Sequence, residues 1–187
     1  MGNPSISVLI VEDQKLTRRG MQLYVDGLSG LNVIGAFGSA EEALPEIKQL
    51  LPRVVLMDIG LPGMDGISAA KLIKSEHPEI GVLMLTSNES PEAIFEAFNA
   101  GADGYILKTA FSKSLENAIR SVTCESVWLD PQLAAAILDC RAKEVGLISQ
   151  QLKRVLENLS ITSCSDGICR IESNFVEQLK RIRPARA

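Results

Sequence analysis

The sequence predicts an α/β fold in which the strands of a parallel sheet alternate with helices. Four short aliphatic runs carry this prediction, because each has the length and composition of a strand buried on both faces. They occupy residues 5–11, 54–57, 82–85 and 105–107. With a weaker fifth run, residues 5–123 alternate strand and helix five times, which predicts a doubly wound sheet with right-handed crossovers.

A helix, an edge strand and a capping motif make up the first half of this alternation. The first helix is expected at about residues 15–27. Residues 31–37 are less uniformly apolar and predict an edge strand. Ser39 and Glu42 have the spacing of a capping box, which predicts that the second helix begins there.

Turn-forming residues divide the second half. Residues 60–66 are rich in glycine and predict a loop. A third helix is expected at about residues 67–76, because the proline at position 78 ends it. The fourth helix is expected from Pro91 to Gly101, and the fifth over about residues 112–123.

The expected strand order is 2-1-3-4-5, which gives a flavodoxin-like sheet with its switch point between strands one and three. We expect this five-stranded domain to occupy residues 1–125. Residues 126–187 are then a mainly helical C-terminal extension.

Polar residues stand just past the ends of the aliphatic runs. Glu12 and Asp13 follow the first, Asp58 the second, Thr86 the third and Lys108 the fourth. In an open α/β sheet, ligands bind outside the carboxyl ends of the strands. Three carboxylates, a hydroxyl and an ammonium at that edge predict a site for a divalent cation and a phosphoryl group.

Elementary electrostatics supports this interpretation. Two unit charges about 4 Å apart repel by roughly 4 kcal/mol at an effective dielectric of 20, so clustered carboxylates need a proton or a cation. Hard oxygen ligands suit Mg²⁺. A carboxylate is also a nucleophile that can form an aspartyl phosphate, while Lys108 and Thr86 can pair with phosphoryl oxygens.

Each residue also has an ordinary structural interpretation. Asp13 can cap the first helix, Asp58 can begin a turn, and Lys108 can be a solvated lysine at a strand end. The occurrence of all these residues together at the carboxyl ends of the predicted strands favours the functional interpretation.

At this level of detail the chain resembles the receiver domain of bacterial two-component response regulators. The resemblance covers about residues 5–123, and the motifs that carry it are residues 11–14, 57–66, 85–87 and 101–108. Residues 102–105 and 127–131 further resemble the NarL-type subfamily.

The resemblance implies that Asp58 is the phosphoacceptor. It also implies that Glu12 and Asp13 help to hold Mg²⁺, with the carbonyl of Gly60 completing the metal ligands. A small phosphatase of related build is a weaker reading, because it would need an acid two residues after Asp58, where Gly60 stands.

The same resemblance implies a switch rather than an enzyme. Thr86 and Tyr105 would form the switch pair, and Lys108 would contact the phosphoryl group. The phosphodonor would be a sensor histidine kinase, and the resulting conformational change would control an output.

The output itself is harder to predict, because no helix-turn-helix domain is recognisable after the receiver. A helix is expected over about residues 130–159, with an apolar seam at Val145, Ile148, Leu152, Val155 and Leu159. The seam either joins two chains as a homodimer or packs within one chain. The chain is either truncated before a DNA-binding domain or signals in another way.

Residues 161–171 predict a hairpin with an Asp-Gly turn, which places Cys164 opposite Cys169 as packed small residues or as a redox pair. A last helix is expected at about residues 174–183. Residues 141–187 hold 9 basic and 5 acidic side chains, a net charge of +4. This basic tail keeps open the alternative of a DNA-binding transcriptional regulator, against the plainer reading of a solvated tail.

The whole-chain composition bounds the class of protein. Hydrophobic residues make up 46% of the 187 residues, which supports a sizeable core. No apolar stretch reaches the roughly 18 residues of a membrane span, and the N-terminus lacks signal-peptide features, so we expect a cytoplasmic protein without a membrane partner. One histidine excludes a histidine-rich metal site, and four cysteines are too few for a disulfide framework.

Overall fold

A computed structural model describes residues 5–87, 91–124 and 126–130. Within these ranges the strands are β1 Ile6–Val11, β2 Leu31–Phe37, β3 Val54–Asp58, β4 Gly81–Thr86, β5 Gly104–Leu107 and β6 Trp128–Leu129. The helices are α1 Lys15–Asp26, α2 Ala40–Leu50, α3 Gly66–Glu76, α4 Pro91–Asn99 and α5 Phe111–Thr123. None of these helices combines the length and apolarity needed to cross a membrane.

All neighbouring strands of the sheet are parallel, in the order β2-β1-β3-β4-β5-β6. The predicted flavodoxin-like fold and its order of the first five strands are therefore confirmed. The order reverses between β1 and β3, which creates the crevice in which open α/β sheets bind ligands.

The sheet contains a sixth strand that the sequence did not predict. In β6, Trp128 is in register with Gly104 and Leu129 with Tyr105. Trp128 donates its N–H to the carbonyl of Asp103 at 2.9 Å. Since β6 lies beyond residue 125, the sheet includes part of the segment assigned to the C-terminal extension; the division at residue 125 otherwise stays a prediction.

The core forms two layers, one on each face of the sheet. Successive strand residues alternate between them, so that Leu9 and Val11 face one layer while Val8 and Ile10 face the other. The first layer is completed by α2, α3 and α4, and the second by α1 and α5. Burial on both faces explains why β1, β3 and β4 are almost wholly aliphatic, and each buried aliphatic side chain contributes about 1.5–3 kcal/mol.

Side chains fix the starts of two helices. The Glu42 N–H donates to Ser39 Oγ at 3.3 Å, as a capping box requires, but the Glu42 carboxylate accepts from the N–H of Gly38, one residue earlier than the motif predicts. Helix α3 begins at Gly66, with Asp65 accepting from the Ser68 N–H at 2.9 Å. Each cap is expected to stabilise its helix by about 1 kcal/mol.

A half-buried ion pair lies at the amino-terminal edge of the sheet. Nζ of Lys74 lies 3.0 Å from Oδ2 of Asp103 and donates to the carbonyls of Pro78 and Ile80. The same Asp103 oxygen accepts from the N–H of Val82 at 2.8 Å. This network ties α3 and the loop before β5 to the start of β4, at the edge opposite the candidate site.

Candidate metal and phosphoryl site

The parallel register brings the predicted polar residues to one edge of the sheet. Val11, which precedes Glu12, is in register with Met57, which precedes Asp58. Thr86 ends β4 opposite Leu107, and Lys108 follows directly. The structure therefore places Glu12, Asp58, Thr86 and Lys108 at the carboxyl ends of four neighbouring strands, with Asp13 beside them.

Three carboxylates converge in the crevice between β1 and β3. One oxygen from each of Glu12, Asp13 and Asp58 lies within 4.8 Å of the others. Glu12 is fully buried and Asp58 is 5% exposed, whereas Asp13 is exposed. The cluster thus opens to solvent on the Asp13 side, where a hydrated cation can enter.

Lys108 bridges the two buried carboxylates. Its Nζ lies 2.8 Å from Oε2 of Glu12 and 2.9 Å from Oδ2 of Asp58, and its side chain is 18% exposed. Burial alone would lower the pKa of Lys108, but hydrogen bonding to Glu12 and Asp58 and their negative charges outweigh burial and raise it. Lys108 is therefore a cation at neutral pH and not a solvated lysine at a strand end.

The buried carboxylate of Glu12 has weaker compensation for its burial than the ammonium of Lys108 has. Burial raises its pKa; the ammonium of Lys108 opposes this rise, and the charge of Asp58 adds to it. Among the described residues, Glu12 Oε2 has no partner other than the ammonium of Lys108, which lies 2.8 Å away. A buried carboxylate oxygen with a single charged partner fits a site for a hard cation.

Backbone amides hold the other carboxylate oxygens. Oε1 of Glu12 accepts from the N–H of Gln14 at 3.2 Å, and Oδ1 of Asp58 accepts from the N–H of Gly60 at 3.3 Å. Asp58 therefore begins a turn and also belongs to the acidic cluster. A Cβ on Gly60 would meet nothing nearer than Oδ2 of Asp58 at 4.0 Å, so the space on the Gly60 side of this carboxylate is open.

Thr86 and Tyr105 lie inside the fold beside this edge. Thr86 is 3% exposed and Tyr105 is fully buried. Burial raises the pKa of the Tyr105 phenol, and the hydroxyl of Thr86 acts in the opposite direction. The aromatic ring thus occupies the interior next to the threonine in this conformation.

Three residues that support the site were not predicted from the sequence. Arg18 donates from Nη1 to the carbonyls of Glu12 and Asp13. Glu41 accepts from the N–H of Met64 at 2.8 Å and so holds the loop after β3 from the side of α2. Gly66 leaves no room for a side chain, because a Cβ would lie 2.0 Å from the carbonyl oxygen of Asp58.

Of these three residues, only Gly66 could be recognised from the sequence, as a glycine in a turn-rich loop. Arg18 and Glu41 stand on helices among other charged residues, and their partners are backbone atoms that no sequence pattern identifies.

Comparison with known proteins identifies the family. The family model described as the response regulator receiver domain matches residues 8–120. The chain belongs to this family. The response regulator protein VraR of Staphylococcus aureus strain Mu3 is 33% identical over 155 residues, which cover 83% of this chain and 74% of VraR.

Solved receiver structures agree with this assignment. A LuxR-family two-component response regulator from Aurantimonas sp. SI85-9A1 matches with a TM-score of 0.71 and 27% identity, covering 74% of this chain and 99% of the other. The signal receiver domain of the response regulator NarL from Mycobacterium tuberculosis matches with a TM-score of 0.58 and 29% identity, covering 63% and 98%. These names confirm the predicted resemblance to the NarL-type subfamily.

The features predicted for the extension of this receiver lie outside the described residues. They include the apolar seam from Val145 to Leu159, the hairpin with Cys164 and Cys169, and the basic last helix. Asp130 is described: it is buried, and it accepts from Oγ of Ser114 at 3.0 Å.

Proposed function

We propose that this receiver accepts a phosphoryl group on Asp58, with Mg²⁺ held by Glu12, Asp13, Asp58 and the carbonyl of Gly60. One observation carries the proposal: the buried Asp58 carboxylate lies in a three-carboxylate cluster and contacts a charged lysine at 2.9 Å. Ion pairs elsewhere in the described residues join one acid to one base, whereas this site has more carboxylates than its lysine neutralises.

Each side chain of the site would have its own role in phosphoryl transfer. An oxygen of Asp58 forms a bond to phosphorus while the bond between phosphorus and the donor atom breaks, and the donor departs with that electron pair. Mg²⁺, when bound, neutralises charge on the phosphoryl oxygens. Lys108 exchanges its contact with Oδ2 of Asp58 for a phosphoryl oxygen, and the hydroxyl of Thr86 donates to another.

The conformational response would follow from the buried pair at the end of β4 and within β5. Thr86 moves toward the phosphoryl group, and the ring of Tyr105 occupies the space that it leaves, so that local charge biases a two-state element. Crystals of the free protein and of a complex with a phosphoryl mimic should show different positions of Thr86. Identical positions of both side chains would contradict the switch.

The decisive experiment is phosphorylation by acetyl phosphate and Mg²⁺, followed by intact-protein mass spectrometry. The wild type should gain one phosphoryl group, and Asp58→Asn should gain none. Asp65→Asn is the matched control, because Asp65 stands in the same loop and asparagine caps a helix as well as aspartate does. Labelling of Asp58→Asn at the wild-type rate would refute the proposal.

Family membership supports a sensor histidine kinase as the physiological donor, a signalling rather than an enzymatic role, and a cytoplasmic location. The output remains a choice between a homodimer through residues 130–159 and DNA binding by the basic residues after position 140. Size-exclusion chromatography with light scattering, before and after phosphorylation, tests the first. Binding to random duplex DNA at several salt concentrations tests the second, because phosphate contacts weaken as salt rises.

A further inference from the structure

The backbone of Glu12 and Asp13, the acidic loop after β1, is contacted by a cation, the guanidinium of Arg18. Nη1 of Arg18, on the first turn of α1, donates to the carbonyl of Glu12 and also to the carbonyl of Asp13, at 3.2 Å in the second case. Both acceptors belong to proposed metal-binding residues. We infer that Arg18 is a positioning residue that orients Asp13 toward the cation; this inference rests on the proposed function.

Peptide-bond planarity connects these two hydrogen bonds to the side chain of Asp13. The carbonyl of Glu12 belongs to the peptide plane before the Cα of Asp13, and the carbonyl of Asp13 belongs to the plane after it. One guanidinium nitrogen that holds both oxygens therefore restrains the two dihedral angles of Asp13 jointly and, with them, the direction of its Cβ. The side chain of Asp13 is exposed, so packing does not supply this orientation.

Glu12 does not need the same help. It is fully buried, its Oε1 accepts from the N–H of Gln14, and its Oε2 lies beside Lys108. Loss of Arg18 should therefore act mainly through Asp13. This asymmetry separates a positioning role from a general loosening of the site.

The surroundings of Arg18 provide space for the guanidinium. A Cβ on Gly38 would lie 3.3 Å from Nη1, closer than most real Cβ contacts, so the glycine leaves room for the arginine. Gly38 is itself held by the carboxylate of Glu42. Arginine suits this place better than lysine because its planar fork presents several donors in fixed directions and its charge is permanent.

Two effects of Arg18 on cation binding oppose each other. Its positive charge repels Mg²⁺, which predicts tighter binding when the arginine is removed. Its orientation of Asp13 favours Mg²⁺, which predicts weaker binding when it is removed. Loss of a group that orients a ligand typically costs 10–100-fold in metal affinity, so we expect orientation to dominate, with Mg²⁺ bound about 10-fold more weakly in Arg18→Ala.

The test measures Mg²⁺ binding by titration calorimetry, without phosphorylation. Arg18→Ala should weaken binding about 10-fold, and Arg18→Lys should weaken it less. The control is Arg19→Ala, which removes the same charge from an exposed neighbour and should not weaken binding. Hydrogen exchange in the metal-free proteins should be faster at residues 12–14 in Arg18→Ala than in Arg19→Ala, while urea denaturation checks that each variant is folded.

A double-mutant comparison identifies the route of the effect. In an Asp13→Ala background, Arg18→Ala should cause little further loss of Mg²⁺ affinity, because the group that it positions is absent. Undiminished or tighter binding by Arg18→Ala would overturn the inference, and so would a full additional loss in the double variant. If Asp13→Ala alone leaves Mg²⁺ binding unchanged, the proposed metal site itself is wrong; if it weakens binding and Arg18→Ala does not, only the role of Arg18 fails.

Discussion

Replacing Lys108 by methionine removes one ammonium from between two buried carboxylates while keeping most of the apolar stem. Glu12 and Asp58 then face each other with no cation among the described residues to separate them. Removing one partner of a buried ion pair typically costs 3–5 kcal/mol. Because the Lys108 side chain retains 18% exposure, we expect a loss at the lower end, about 3 kcal/mol of the free energy of unfolding in EDTA.

Mg²⁺ should then reduce the difference between variant and wild type. The lysine and the cation compete for Oε2 of Glu12 and Oδ2 of Asp58, so the variant should bind Mg²⁺ more tightly. Each tenfold decrease in Kd adds about 1.4 kcal/mol of stabilisation at a saturating concentration. If Mg²⁺ binds the variant tenfold more tightly, the difference in the free energy of unfolding between variant and wild type narrows by about 1.4 kcal/mol.

Urea denaturation in EDTA and in saturating Mg²⁺ measures both effects. Fluorescence of Trp128 reports unfolding, since it is the single tryptophan of the chain and is buried. Lys113→Met is the control, because Lys113 is exposed on α5 and its loss should change stability by less than about 0.5 kcal/mol. A loss below about 1 kcal/mol for Lys108→Met in EDTA, or a gap that Mg²⁺ leaves unchanged, would refute the reasoning.

Three further outcomes follow from the structure. Burial raises the pKa of Glu12 above its ordinary value of 4.5, so its carboxyl group stays protonated to a higher pH than usual. The Mg²⁺ affinity should therefore fall as the pH decreases through the raised pKa, and calorimetry should detect proton release when Mg²⁺ binds. A Mg²⁺ affinity that does not depend on pH would contradict this. Asp103→Ala leaves Lys74 without its carboxylate partner and should cost about 2 kcal/mol in urea denaturation, whereas a loss below about 0.5 kcal/mol would show that the pair does not stabilise the fold. Gly66→Ala forces a Cβ toward the Asp58 carbonyl and should cost about 3 kcal/mol and weaken Mg²⁺ binding; an unchanged melting temperature would show that the loop can shift freely.

The order of five strands could be predicted from the sequence because two features of the sequence were clear. Aliphatic runs such as residues 54–57 identify strands buried on both faces, and the regular alternation with helices restricts the topology. The position of the acidic cluster followed from the same reasoning, since parallel strands deliver their carboxyl ends to one edge.

The features that were not predicted from the sequence have equally physical explanations. Trp128–Leu129 is a two-residue strand, too short to show any periodicity, and it is identified only by its pairing with the edge of β5. Arg18 and Glu41 act on backbone atoms, so their side chains match no motif. The start of α3 was expected one residue late because Gly66 appeared to belong to the loop that it ends.

The short strand β6 also determines where a stable receiver fragment of this chain can end. Unpaired backbone groups on a buried, apolar edge strand invite pairing with other molecules. A fragment that ends at residue 125 would leave the outer edge of Gly104–Leu107 open, including the carbonyl of Tyr105 that accepts from the N–H of Asp130. A fragment that ends after Asp130 keeps this edge covered, and it should stay monodisperse at concentrations where the shorter fragment aggregates.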